Sequence, residues 1–159
     1  MKAPKPLNRF WPTTGLAIVS GMRTMASLSA VSSYLSKAPS PLLAGFPLGF
    51  LQKKYVAVGL KALTLAEMAG DKSPNTPARI VKAGLIGRGL SGAITGAAVY
   101  KSRNGSAIAG AIIGGAVAVA ATYGSYYLRK KIVASSPIND PTIGGLEDMV
   151  ALQSASFIL

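Results

Sequence analysis

Apolar residues in this chain come in runs too long for sheet strands, and basic residues punctuate them. The clearest run, SAIAGAIIGGAVAVAATYGSYYL at residues 106–128, carries no charge and is bracketed by Arg103 and by Arg129, Lys130 and Lys131. About 20 such residues cross a hydrocarbon core as a helix. Tyr123, Tyr126 and Tyr127 gather at its end, where amphipathic rings favour the membrane interface. Residues 83–100 are interrupted only by Arg88, and the 27 residues between Arg9 and Lys37 only by Arg23. The pattern predicts a spanning helix in each, the first over 13–35. A shorter run at 55–70 contains Lys61 and Glu67, and the proline-broken SPLLAGFPLGFL before it reads as re-entrant or interfacial around 41–51. The expected fold is all-α, a polytopic transmembrane bundle over 13–128 with about four spans (13–35, 55–70, 83–100 and 106–128). A basic segment, 1–12, precedes it and a tail, 129–159, follows. Three spans plus an interfacial helix is the alternative.

Composition agrees with this pattern. Half the residues are hydrophobic and 14% are charged, against roughly 25% charged in soluble domains. Residues 1–30 imitate a signal peptide, but Arg23 cuts the apolar region where a signal would be clean. The formal net charge is +12. Because the basic residues flank apolar runs, this charge points to anionic lipid surfaces and not to nucleic acid.

The chain has no Cys and no His, which removes the commonest general bases, thiol nucleophiles and soft metal ligands. It also carries no nucleophile elbow, Walker loop or dinucleotide fingerprint. The expectation is a non-enzyme with no metal and no cofactor.

Four spans would place the N-terminus, the 71–82 loop and the C-terminus on one side. Lys2, Lys5, Arg9, Lys72, Arg79, Lys82, Arg129, Lys130 and Lys131 lie there, against Lys37, Lys53, Lys54, Lys101 and Arg103 opposite. The positive-inside rule then puts both termini in the cytoplasm, in a bacterial inner membrane. Small residues recur every four positions: Gly110 and Gly114 in the last span, Gly92 and Gly96 in the third, and Gly21 four after Ala17 in the first. Such rows let membrane helices pack closely, within one bundle or across a homodimer seam. KSPNTP at 72–77 and SSPINDP at 135–141 echo each other, as do GMRT at 21–24 and GRGL at 87–90. Two duplicated helix pairs would explain this, as would chance in a Gly/Ala/Ser-rich chain. After Pro141, Leu146, Met149, Val150 and Phe157 share one face of a predicted amphipathic segment, docked on the bundle or at the interface.

An Arg inside a membrane normally faces the bundle and finds a partner. Glu67 and Asp71 are the only acids before Asn139, and they are four residues apart, on one helical face. The economical pairing sets Arg23 and Arg88 against Glu67 and Asp71, with Arg23 on the deeper Glu67. Lys61 adds a third cation, which tilts any ligand towards an anion. Pro74 and Pro77 stop the second helix and stiffen the loop that carries Lys72 and Arg79.

Gly21, Arg23, Glu67, Gly70, Asp71, Lys72, Pro74, Pro77, Arg79, Arg88 and Gly92 together resemble the bacterial membrane proteins grouped as domain of unknown function 4126, over about residues 13–128. The resemblance implies a small multi-span membrane protein and no activity. It leaves the tail after Lys131 outside. The expected role is ion, small-solute or lipid-headgroup handling at the charged site. The alternative is an accessory subunit of a membrane complex whose buried charges only lock the bundle. The expected partners are membrane lipids and a second copy or a larger membrane complex.

Overall fold

The computed structural model describes residues 8–70, 81–135 and 140–158, and all regular structure within them is helical. The elements are α1 (Phe10–Met22), α2 (Thr24–Lys37), α3 (Pro41–Ala44), a 3-10 segment (Pro47–Gln52), α4 (Lys54–Gly70), α5 (Lys82–Ser102), α6 (Ala107–Ser135) and α7 (Asp140–Ile158). Among the described residues α6 alone is long and apolar enough to cross a membrane by itself. The count of four full-length spans is therefore not established.

The predicted span 13–35 is two helices. Arg23 has extended backbone (φ −140°, ψ 113°) between α1 and α2, and the chain turns back on itself there. Ser20 and Ser27 touch through their hydroxyls, although seven residues of straight helix would separate them by about 10 Å. At the other end of the legs, Arg9 Nη1 donates to the Asn104 carbonyl (2.9 Å) and Ser40 Oγ to the Ser102 carbonyl (3.1 Å). Both legs thus begin and end where α5 turns into α6. Legs of 13 and 14 residues reach about 20 Å. Residues 41–52 form two short turns that carry the chain from α2 to α4.

This geometry regroups the basic residues on which the expected sidedness was counted. Arg9 lies at the same end as Lys37, Lys53, Lys54, Lys101 and Arg103, while Lys82, Arg129, Lys130 and Lys131 lie at the other. Six basic residues against four among the described residues no longer select a side. Of the two echoes behind the suggested duplication, GMRT and GRGL fall in unlike settings, because Arg23 sits in a helix break and Arg88 inside α5, and residues 72–77 and most of 135–141 lie outside the described residues.

Helices α5 and α6 form a full-length hairpin. Its turn uses Asn104 with φ 58°, a left-handed conformation that Asn tolerates, and the Gly105 N–H returns to the Tyr100 carbonyl at 2.7 Å. The glycine rows meet along this pair. A Cβ on Gly96 would fall on the Gly110 carbonyl oxygen, and one on Gly92 would lie 2.5 Å from that of Gly114. Gly21 is in equally close contact with Ala118 and Thr122 of α6. Backbones approach this closely only where side chains are absent.

The molecule is apolar outside and partly polar within. Thr13, Ser20, Ser27, Ser32, Thr95 and Thr122 are fully buried, whereas Ile108 is 74% and Phe157 86% exposed. On α6 the buried residues are Gly110, Gly114, Ala118 and Thr122, so every large side chain of that helix faces outward or sideways.

The tail is a helix docked on α1. Its buried positions are Ile143, Gly144, Asp148, Ala151 and Ala155. The expected apolar face of Leu146, Met149, Val150 and Phe157 points out instead.

Candidate functional site at the helix break

The tip of the α1–α2 hairpin lies deep in the bundle and is held from four sides. The first N–H groups of a helix have no partner within it and carry the positive end of its dipole. At α2 these donors meet a carboxylate from another helix: Thr24 N–H donates to Glu67 Oε1 (2.9 Å) and Met25 N–H to Glu67 Oε2 (2.8 Å). Helix α4 runs beside α2 from Lys54, which brings its thirteenth residue after that point level with the break.

Arg23 turns to α7. Its Nη2 lies 2.5 Å from Asp148 Oδ1, and each side chain is 3% exposed. The expected Arg23–Glu67 pair does not form, because Glu67 is engaged by the α2 backbone while Asp148 reaches the guanidinium. The preceding residue, Glu147, lies 3.7 Å from Arg129, so α7 is tied to both the hairpin and α6.

A hydroxyl network surrounds the tip. Ser91 Oγ donates to the Thr24 carbonyl (2.5 Å), Ser27 Oγ lies 3.4 Å from Ser91 Oγ and 3.3 Å from Thr95 Oγ1, and Thr122 Oγ1 donates to the Ala118 (2.8 Å) and Gly21 (3.2 Å) carbonyls. Of these carbonyls, that of Gly21 lies in the last turn of α1, where the break leaves it without an intrahelical partner, and Thr122 supplies one, a requirement in any water-poor interior. Arg88, three residues before Ser91 on α5, is buried as well.

The structure therefore gathers Arg23 and Glu67 at one point, adds Asp148, and buries Arg88 on the adjoining α5. It does not bring Lys61 there. Lys61 precedes Glu67 by six residues, about 240° around the helix, and lines a groove on another face of α4. Asp71, Lys72, Pro74, Pro77 and Arg79 lie outside the described residues. Gly92, Gly96, Gly110 and Gly114 meet within one chain, so this seam is not available to a second copy. No group of three or more potential metal ligands occurs among the described residues.

Asp148 and the serine network were missed by sequence reasoning. Scarcity offered a signal for Asp148, because it is one of five acids in the chain.

An all-α bundle with buried hydroxyls and charges, small-residue seams and an apolar exterior defines the class of protein. The chain belongs to the family described as domain of unknown function DUF4126, whose family model matches residues 12–159. The match includes the tail that the motif resemblance left outside. No curated protein and no solved structure matches the chain.

Proposed function

We propose that this is a multi-pass membrane protein that handles a small anionic group, a solute or a lipid headgroup, at the helix break. One observation carries the reading: the N-terminal N–H groups of α2 lie part-buried beside the buried Arg23 and are held by a carboxylate from a different helix. Half-helix N-termini inside membrane proteins are anion sites. Glu67 is the resident carboxylate, and displacement of its side chain would free those donors. The tip lies eleven residues from the end of α5, about 16 Å, and about half of a hydrocarbon core. The outward apolar faces and the 29-residue α6 support membrane residence, and the family resemblance implies a bacterial cytoplasmic membrane. No catalytic step is assigned.

A second reading, a charge-locked accessory subunit, is favoured by the presence of Arg23 and Arg88 alongside Glu67 and Asp148 in equal number. Reconstitution separates the two. Liposomes carrying the protein should release trapped inorganic phosphate, or move headgroup-labelled phosphatidylglycerol between leaflets, faster than empty ones. Glu67→Gln should change that rate by about tenfold, because it alters the resident anion, while leaving the protein folded. Wild-type liposomes silent in both assays would leave the locking role as the better account.

A further inference from the structure

Away from the helix break, α2, α4 and α7 enclose an open groove of about 550 Å³, within the roughly 300–1,000 Å³ of small-ligand sites. Its polar part carries Lys37, Lys61, Ser29, Ser33 and Ser156. Both lysines are exposed, and no carboxylate lines the groove among the described residues. Glu67, Glu147 and Asp148 are engaged elsewhere, with the α2 backbone, Arg129 and Arg23. Ser33 Oγ is buried, with no hydrogen-bond partner among the described residues. Tyr34 and Thr64 also line it, and the rest of the wall is apolar, including Ala26, Leu65 and Leu152.

We infer that this groove binds an anionic phospholipid, its phosphate between Lys37 and Lys61 and the start of an acyl chain along Ala26, Leu65 and Leu152. Two cations without a facing acid give charge complementarity to a phosphate. The lining serines add neutral hydroxyls beside the two cations. The apolar wall selects a lipid over a free anion, which has nothing to place against it. Lys37 lies at the end of α2 while Lys61 lies seven residues inside α4, so the site slants inward from one face of the bilayer. A four-carbon stem lets Lys61 meet a headgroup from that depth. The inference rests on membrane residence and not on any transport at the helix break.

The test uses the full chain in nanodiscs of phosphatidylcholine with a minor fraction of spin-labelled phosphatidylglycerol or spin-labelled phosphatidylcholine. Wild type should immobilise the anionic lipid preferentially. Lys37→Gln with Lys61→Gln should reduce that preference by roughly tenfold. Ser33→Leu, which fills the groove and leaves both charges, should also reduce it. Lys130→Gln with Lys131→Gln, at the other end of the bundle, should leave it unchanged. No preference in wild type, preference retained by the Lys37/Lys61 variant, or equal loss in the Lys130/Lys131 variant would overturn the groove. Competition by millimolar inorganic phosphate would replace the lipid with a free anion. Release of the protein from native membranes by alkali would overturn membrane residence and the groove together. Retention without lipid preference would overturn the groove alone.

Discussion

Two helical hairpins lie side by side in this molecule, and opposite means hold them. The α5–α6 hairpin is full length and closes through glycines, with backbone set against backbone. The α1–α2 hairpin is half as deep and closes through serines, a carboxylate cap and an ion pair at its tip. Small residues suffice where both helices satisfy their own backbone groups. A break cannot rest on small residues alone, because it exposes N–H and C=O groups that need partners. The charged and hydroxyl side chains are concentrated where the backbone is interrupted. This makes the first hairpin the place where structure could respond to a ligand and the second its rigid support.

The comparison breaks most severely at the glycine seam. Gly96→Leu puts a side chain where the Gly110 carbonyl oxygen sits, and backbone cannot give way as a side chain can. Overpacking costs about 1–3 kcal/mol where side chains can rearrange. Here we expect more, with loss of monodisperse protein on size-exclusion chromatography. Val117→Leu, at a half-buried position of α6, should purify like wild type. A well-behaved Gly96→Leu protein would show that the two helices do not meet through that row.

At the other hairpin the expected effect is smaller but specific. Asp148→Ala leaves Arg23 buried beside a vanished partner, and breaking a buried pair costs about 3–5 kcal/mol. Replacing both, as Arg23→Met with Asp148→Leu, should recover much of the loss, since apolar substitutes of similar size need no counter-charge. Thermal unfolding followed by tryptophan fluorescence would measure both, using Trp11 on α1. Additive losses in the double variant would mean that the two side chains do not depend on each other.

Much of this contrast could be read in the sequence. The Gly92/Gly96 and Gly110/Gly114 rows, the ends of α4 and α5, and the burial of Arg23 and Arg88 follow from composition and spacing. The hairpin does not, because hydrophobicity is insensitive to direction. The residues from Arg9 to Lys37 are apolar enough to cross once or to enter and return, and one Arg in the middle fits both paths. Ser20, Gly21, Ser27 and Ser29 around Arg23 were the available sign, since so many small polar residues near one charge leave room for a turn and supply its hydrogen bonds. The Arg23–Asp148 contact lay beyond reach for a different reason. It joins positions 125 apart in sequence, and the tail's apolar face suggested docking through Leu146 and Phe157, which instead point outward.

The least disruptive experiment sharpens the comparison most cleanly. The chain has no cysteine, so single cysteines report position without background. Asn8→Cys, Lys37→Cys, Lys101→Cys and Lys131→Cys all lie at or near helix ends, where substitutions usually change stability by less than about 0.5 kcal/mol. A single span over 13–35 puts residues 8 and 37 on opposite faces of the membrane. The hairpin puts them on the same face, together with residue 101 at the α5–α6 turn, and leaves residue 131 alone on the other. Impermeant maleimide applied to oriented vesicles should therefore label positions 8, 37 and 101 alike and treat 131 differently. Which face carries the three is not fixed by six basic residues against four, so the grouping is the prediction. Position 8 grouping with 131 and against 37 would restore the single span and remove the helix break on which the charged site depends.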